Sequence, residues 1–177
     1  MSRVPLLAAL AALLTATASA QPVRLAAGAT VPLTGELGPA WEAQPGLAGQ
    51  ILLPMYGGET RLSLDLATHD ATREDAPDFT ALVATLGWGP VLALGPVRLN
   101  PGAEVGAGRY AFDDGGEFGG NLSSESEVVA GAYLCAGAPV AGRLEVWAEG
   151  GVRRTFFSTL ATTATASAGL AVRLGSR

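Results

Sequence analysis

The sequence predicts an all-β fold, an eight-stranded antiparallel up-and-down β-barrel. Two observations lead to this prediction. Eight segments alternate between apolar and polar residues, which is the period of a strand with two different faces. The connections between these segments alternate between long and short, as they do when every tight turn lies at the same rim of a barrel.

The first twenty residues have the pattern of a secretory signal peptide. Arg3 supplies a positive charge, Leu6 to Leu14 form an apolar run, and Ala18-Ser19-Ala20 fits a small-residue cleavage site. Residues 1–20 are therefore predicted to be removed. Residues 21–177 show neither an internal repeat nor a linker, so they are predicted to form a single barrel domain.

The strands are predicted in chain order from alternation and from the Gly-rich and Pro-rich segments between them. Their ranges are 22–33, 46–55, 60–69, 79–93, 97–112, 127–138, 142–155 and 163–174. The last segment is rich in alanine, which prefers helices, but its alternation favours a strand.

The predicted connections fall into two groups. Tight turns are expected at Tyr56-Gly57-Gly58-Glu59, Leu94-Gly95-Pro96 and Pro139-Val140-Ala141. Longer and more polar connections are expected at 34–45, 70–78, 113–126 and 156–162. The connections 70–78 and 113–126 contain four acidic residues each, so these two loops are predicted to be acidic.

The segment TRLSLDLA, residues 60–67, shows how the two faces of each strand differ. Its leucines share one face, and Arg61 and Asp65 share the other. Applying this alternation to the other strands places nine charged residues on the polar face: Arg24, Arg61, Asp65, Arg98, Glu104, Glu145, Glu149, Arg153 and Arg173.

Alternation alone permits a soluble barrel with an apolar interior or a membrane barrel with an apolar exterior. Three observations favour the membrane barrel. The apolar face is mainly Ala, Val and Leu, which would underfill an interior; the polar face combines long charged residues with many glycines, which suits a crowded lumen. Aromatic residues near strand ends suggest two interfacial girdles: Phe79, Tyr110, Phe112, Phe156 and Phe157 beside the long connections, with Tyr56 and Trp88 toward the tight turns.

These features together resemble the small outer-membrane β-barrel proteins of bacteria, namely the outer-membrane protein A transmembrane domain and the outer-membrane protein X and W groups. The terminal strand is also similar, since Gly169 and Val172 occupy the positions of the family's terminal pattern, although Leu174 replaces its aromatic residue. The resemblance implies export to the outer membrane and a structural or surface-interaction role. The implied partners are outer-membrane lipid, including lipopolysaccharide, and the barrel-assembly machinery, with the protein as a monomer.

The nine polar-face charges permit two functional interpretations. They could line a gate or narrow pore, or they could pair and close the barrel. An eight-stranded barrel has room only for side chains, and buried charges persist when they are paired. The sequence therefore favours a structural lumenal ionic network.

Other functions receive less support from the sequence. His69 could act as a base beside Ser123, Ser124 or Ser158 in a lipid-modifying enzyme, but a histidine without catalytic function is the favoured interpretation. The acidic connections could hold a divalent cation, but they lack the spacing of a calcium-binding loop. No cofactor, metal site or catalytic residue is predicted, and a net charge of −5 without lysine argues against nucleic-acid binding. A secreted or periplasmic soluble barrel that binds a small apolar ligand remains the alternative.

Overall fold

A computed structural model describes residues 23–35, 40–74, 76–113, 124–156 and 160–174. Within these ranges the chain forms ten strands and no helix. The strands are β1 (Val23–Gly35), β2 (Trp41–Ala43), β3 (Gly46–Met55), β4 (Gly58–Ala71), β5 (Phe79–Pro90), β6 (Leu92–Leu94), β7 (Val97–Phe112), β8 (Glu125–Ala141), β9 (Leu144–Phe156) and β10 (Leu160–Leu174).

Eight long strands close into one antiparallel barrel. Their order around the barrel is β1, β3, β4, β5, β7, β8, β9 and β10, and β10 pairs back with β1. Each long strand therefore pairs with the next long strand along the chain. The predicted all-β, eight-stranded up-and-down barrel is confirmed.

Two short strands, which were not predicted separately, extend this barrel. The predicted strand 79–93 is interrupted after Pro90, which has no N–H to donate, and β6 continues it by pairing with β7. Strand β2 lies within the predicted connection 34–45 and pairs with the end of β4. The alanine-rich segment is a strand as predicted, because β10 is paired on both sides, with β1 and β9.

The tight turns contain the residues with positive φ. Tyr56 and Gly57 have φ angles of 53° and 73°, which suits a two-residue hairpin turn between twisted strands. The turn predicted at 139–141 is wrong, because β8 continues to Ala141 and the turn is formed by Gly142 and Arg143. Gly142 adopts a φ of 54°, whereas Pro139 is accommodated in β8 beside a shift in register.

The leucines of TRLSLDLA point out of the barrel. Leu64 is 50 % exposed and Leu66 is 40 % exposed, whereas Arg61, on the opposite face of β4, has no exposed surface. Ser63 and Asp65 are buried with Arg61. The polar face of this strand therefore lines the lumen, as predicted for the membrane type of barrel.

The predicted aromatic girdle beside the long connections is wrong for three of its members. Phe79 and Tyr110 are buried, and Phe112 packs against Phe79 with ring centroids 5.5 Å apart. Their strand positions place them on the lumenal face, so the rings fill the barrel mouth. Phe156 and Trp88 are exposed as expected for the outer surface, and Phe157 lies outside the described residues.

Across the described ranges, no helix is long and apolar enough to cross a membrane. The predicted signal peptide, residues 1–20, lies outside the described residues.

Candidate functional site

The centre of the lumen is occupied by Arg61 and its carboxylate partners. Nη2 of Arg61 lies 2.6 Å from Oε2 of Glu104, and Nη1 forms an ion pair with Glu149. Glu149 also accepts a hydrogen bond of 3.2 Å from Nε2 of Gln50. These side chains come from β3, β4, β7 and β9, so one cluster spans the width of the barrel.

Arg153 continues this central cluster toward the long connections. Its Nε lies 2.6 Å from Oε1 of Glu104, and its Nη1 forms an ion pair with Asp65. The hydroxyl of Thr85 donates a hydrogen bond of 2.7 Å to Glu104. Glu104 thus binds two arginines and a hydroxyl at once, which provides several of the hydrogen bonds that a buried carboxylate needs.

A second ionic cluster lies toward the tight turns. Glu145 accepts hydrogen bonds of 3.2 Å from both Arg24 and Arg98, and it also pairs with Arg173. The side chains of Arg98 and Arg173 are about one third exposed, so this cluster is in contact with water at the tight-turn end of the barrel.

Glu59 belongs to this second cluster, although the sequence predicts it in the tight turn at 56–59. It lies in β4, is buried, pairs with Arg24, and has Oε2 3.6 Å from Nη1 of Arg98. Glu59 is two residues before Arg61 in β4, so the two side chains share one face of the strand. This spacing in the sequence could have predicted the lumenal position of Glu59. The structure therefore brings all nine predicted charges into two clusters and adds Glu59 to them.

The two clusters are balanced in charge only when taken together, because the central cluster has two arginines and three carboxylates and the second has three arginines and two carboxylates. Five arginines face five carboxylates within the described lumen: Arg24, Arg61, Arg98, Arg153 and Arg173, with Glu59, Asp65, Glu104, Glu145 and Glu149. An isolated charge is costly in a low-dielectric interior, and pairing with an opposite charge offsets part of this cost. The equal numbers of arginines and carboxylates therefore allow these charged side chains to be buried in the lumen.

Uncharged side chains fill the space around the charged clusters. Tyr133, Trp147, Leu52 and Cys135 form one buried group inside the barrel. The guanidinium carbon of Arg61 lies 3.5 Å from the centre of the Tyr133 ring, so aromatic and ionic packing meet at this point. Together these side chains occupy the interior as expected for a barrel of eight strands.

His69 lies in the aromatic group at the barrel mouth. Its ring stacks on Phe79 with centroids 4.3 Å apart and an angle of 7° between the planes. Trp41, from β2, packs edge-on against the same phenylalanine at 5.5 Å, and its Nε1 donates a hydrogen bond of 2.8 Å to the carbonyl oxygen of Pro77. The mouth is thus narrowed by rings from several strands.

The surroundings of His69 do not favour a serine hydrolase or acyltransferase. Among the described residues, the cavity beside His69 is lined by threonines but by no serine. Ser124 lies at another position, with its Oγ 3.4 Å from Nη2 of Arg109. Ser123 and Ser158 lie outside the described residues.

The acidic connections contain no grouped metal ligands within the described part of the chain. Two of their carboxylates hold neighbouring chain segments instead. Asp78 accepts a hydrogen bond of 2.7 Å from the backbone N–H of Ala71, and Asp70 accepts one of 2.8 Å from Nε2 of Gln44. Asp75, Asp114 and Glu117 lie outside the described residues.

A closed eight-stranded barrel with a charged interior and an aliphatic exterior has the fold of a small outer-membrane β-barrel. Among solved structures, the chain is similar to neisserial surface protein A, with a TM-score of 0.59 and 16 % sequence identity. The likeness covers 88 % of this chain and 98 % of that protein. No protein-family model matches the sequence, and the comparison with curated proteins gives no match.

Proposed function

We propose that this protein is inserted in a bacterial outer membrane, where it serves a structural and surface-interaction role. The observation that carries the proposal is the continuous aliphatic exterior of the barrel. Each of the eight barrel strands exposes a large aliphatic side chain: Leu25, Leu47, Leu64, Leu82, Val105, Leu134, Val146 and Leu170, which are 40 % to 68 % exposed.

The physical argument concerns the solvent that surrounds this exterior. Exposed apolar patches on soluble monomers are usually limited to about a few hundred Å², because apolar surface is unfavourable in water. A belt around a whole barrel exceeds such a patch, and lipid chains are its natural solvent. The alternative soluble barrel would hold its ligand in an apolar interior, whereas this interior contains ten charged groups.

Residues at the edge of the belt support a contact with lipid headgroups. Arg109 and Arg154 point outward near the ends of β7 and β9 that adjoin the long connections, and Phe156 is exposed at the same end. Arginine and aromatic residues suit the interface between hydrocarbon and water. We therefore propose outer-membrane lipid, including the phosphate groups of lipopolysaccharide, as the partner of this surface.

The lumen supports a structural role better than a transport role. Arg61 has no exposed surface, and its partners come from strands on different sides of the barrel. A solute would have to separate these ion pairs to pass, which is costly in a buried setting. The acidic loops at the long-connection rim would then provide the surface contacts of the protein.

The proposal includes a route to the membrane. Residues 1–20 would act as a cleaved signal peptide, residues 21–177 would form a single domain, and the barrel-assembly machinery would insert it as a monomer. The C-terminal strand β10 is paired on both sides, so it is available for assembly only before the barrel closes.

Cell fractionation tests the proposal. Expressing cells are separated into soluble, inner-membrane and outer-membrane fractions, and boiled and unboiled samples of each are compared by gel electrophoresis. We expect the protein in the outer membrane, soluble only in detergent, with a migration that changes on boiling. Recovery from the soluble fraction without detergent would overturn the proposal.

A further inference from the structure

The tight-turn end of the barrel carries an excess of positive charge. The second ionic cluster contains three arginines and two carboxylates, which leaves a net charge of +1. The three tight turns and their flanking residues, 55–58, 90–97 and 141–144, contain no acidic residue but do contain Arg143. With Arg143, four arginines and two carboxylates leave a net charge of +2 at this end.

Three of these arginines stand in a row across neighbouring strands. Arg24 in β1 lies directly opposite Arg173 in β10. On the other side of β10, the backbone N–H of Arg173 donates a hydrogen bond of 2.9 Å to the carbonyl oxygen of Arg143, next to the start of β9. Like charges directly opposite each other in a sheet are destabilising. An anion beside this row would reduce the repulsion.

The positive groups at this end are accessible to water, whereas the carboxylates are covered. The side chain of Arg98 is 30 % exposed and that of Arg173 is 34 % exposed. Only 4 % of the Glu59 side chain and 3 % of the Glu145 side chain are exposed. Arg143 is exposed and forms no ion pair within the described ranges. An anion that approaches this end from water therefore meets guanidinium groups first.

The chemistry of these groups suits a doubly charged oxyanion. The planar guanidinium of arginine binds phosphate through two parallel N–H groups. A phosphate monoester carries a charge of roughly −1.5 to −2 at pH 7 and has three strong acceptor oxygens. It therefore matches the net charge of this end and can bind several arginines at once. A carboxylate has one charge and two oxygens, so it matches this end less well.

We propose that the tight-turn end of the barrel binds a phosphate monoester group. Arg143 and Arg173 would bind two of its oxygens, and Arg98 from β7 would bind the third. A soluble phosphate ester and the headgroup of phosphatidic acid both present this group. The inference goes beyond the structural role, and it does not depend on membrane insertion, so its failure would leave the proposed function intact.

The first test titrates the full mature chain, refolded in the uncharged detergent dodecyl maltoside, with glycerol 3-phosphate at constant ionic strength. NMR follows the Nε–H signals of the arginine side chains, which are assigned from the variants. We expect saturable shifts of the Arg98, Arg143 and Arg173 signals. Sodium chloride over the same range of ionic strength should not give a saturable shift.

Two variants locate the site. Arg143→Gln removes an exposed guanidinium that has no ion pair among the described residues, so we expect about tenfold weaker binding with the fold intact. Arg173→Met should weaken binding by a similar factor, while Glu145 keeps Arg24 and Arg98. Heat-modifiable migration on gels verifies that each variant is folded.

Arg154→Gln is the matched control for these variants. It removes the same charge from an exposed position of β9 that adjoins the long connections. Because Arg154 lies at the other end of the barrel, this variant should bind glycerol 3-phosphate like the wild type.

A second measurement distinguishes the two sources of the phosphate group. The protein is placed in nanodiscs of phosphatidylcholine with and without phosphatidic acid. If the lipid headgroup occupies the site, phosphatidic acid alone shifts the arginine signals and glycerol 3-phosphate adds little. If a soluble ester occupies the site, only glycerol 3-phosphate shifts them. Either result supports a phosphate site at this end.

Three results would overturn the inference. The first is the absence of a saturable shift with both glycerol 3-phosphate and phosphatidic acid. The second is unchanged binding by the folded Arg143→Gln and Arg173→Met variants. The third is equal weakening by Arg154→Gln, which would show that the anion responds to the net charge of the protein rather than to a site.

Discussion

The guanidinium carbon of Arg61 lies 3.5 Å from the centre of the Tyr133 ring, while its two terminal nitrogens bind Glu104 and Glu149. A planar guanidinium can offer its face to a ring and its edges to carboxylates at the same time. The compact ammonium of lysine lacks this geometry. The position at the centre of the lumen therefore requires arginine for shape as well as for charge.

Replacing Arg61 should strongly destabilise the barrel. In Arg61→Met, Glu149 retains Gln50 but loses its central arginine, and a buried carboxylate without such a partner is costly. We expect the free energy of unfolding to fall by about 3–5 kcal/mol. Urea unfolding of the refolded protein in lipid vesicles, followed by tryptophan fluorescence, measures this change.

Arg173→Met is the matched control for that experiment. Arg173 is partly exposed, and its partner Glu145 keeps Arg24 and Arg98 after the substitution. The loss should therefore stay within about 1 kcal/mol. Equal losses for the two variants would contradict a lumen stabilised at its buried centre.

Glu59 should contribute to stability although it adjoins a turn. Glu59→Gln removes the charge that faces Arg24, which keeps only Glu145 as an ionic partner. We expect a loss of about 1–3 kcal/mol in the same unfolding measurement. Glu42→Gln, at an exposed position of β2, should leave stability unchanged, and a comparable loss there would argue against a special role of Glu59.

The outer surface should reject charge in a manner that depends on depth. Leu64 lies near the middle of β4 and points outward, so Leu64→Arg should cost about 2–4 kcal/mol in a bilayer. Leu94 is also exposed but adjoins the Gly95 turn, and Leu94→Arg should cost about 0–1 kcal/mol. Equal costs from unfolding in vesicles would contradict a lipid-facing belt.

The first hairpin turn should depend on the backbone freedom of Gly57. Its φ is 73°, and a Cβ at this position would meet no atom within 4 Å, so the cost of Gly57→Ala comes from the backbone. We expect a loss of about 1 kcal/mol. Gly150→Ala is the control, because its Cβ also has open space and its φ is not positive; a loss as large there would exclude this explanation.

The barrel could be predicted from the sequence because alternation and turn spacing are local signals. TRLSLDLA shows both faces of β4 within eight residues, and the structure orients them as predicted. The Gly142 turn was missed because Pro139 resembles a strand breaker, while the β8–β9 register accommodates it beside an irregularity. Local signals also favoured an interfacial position for Phe79, which instead faces the lumen.

The details of the lumen could not be predicted in the same way. The pairing of Arg61 with Glu104 and Glu149 joins residues from three strands, and the barrel must be closed before these side chains can meet. The cavity beside His69 likewise depends on residues from several strands. Alternation assigns a residue to a face but does not give its height or its partners across the lumen.

The pairing of β1 with β10 has a consequence for the chain during its synthesis. Val23 pairs with Leu174, and further along the same ladder Gly28 pairs with Gly169. A growing chain lacks this ladder until β10 has been synthesised. Its earlier strands would have unpaired edges that invite pairing with other chains, and such distant pairing is slow to form. The nascent chain therefore needs protection from neighbouring chains until β10 emerges.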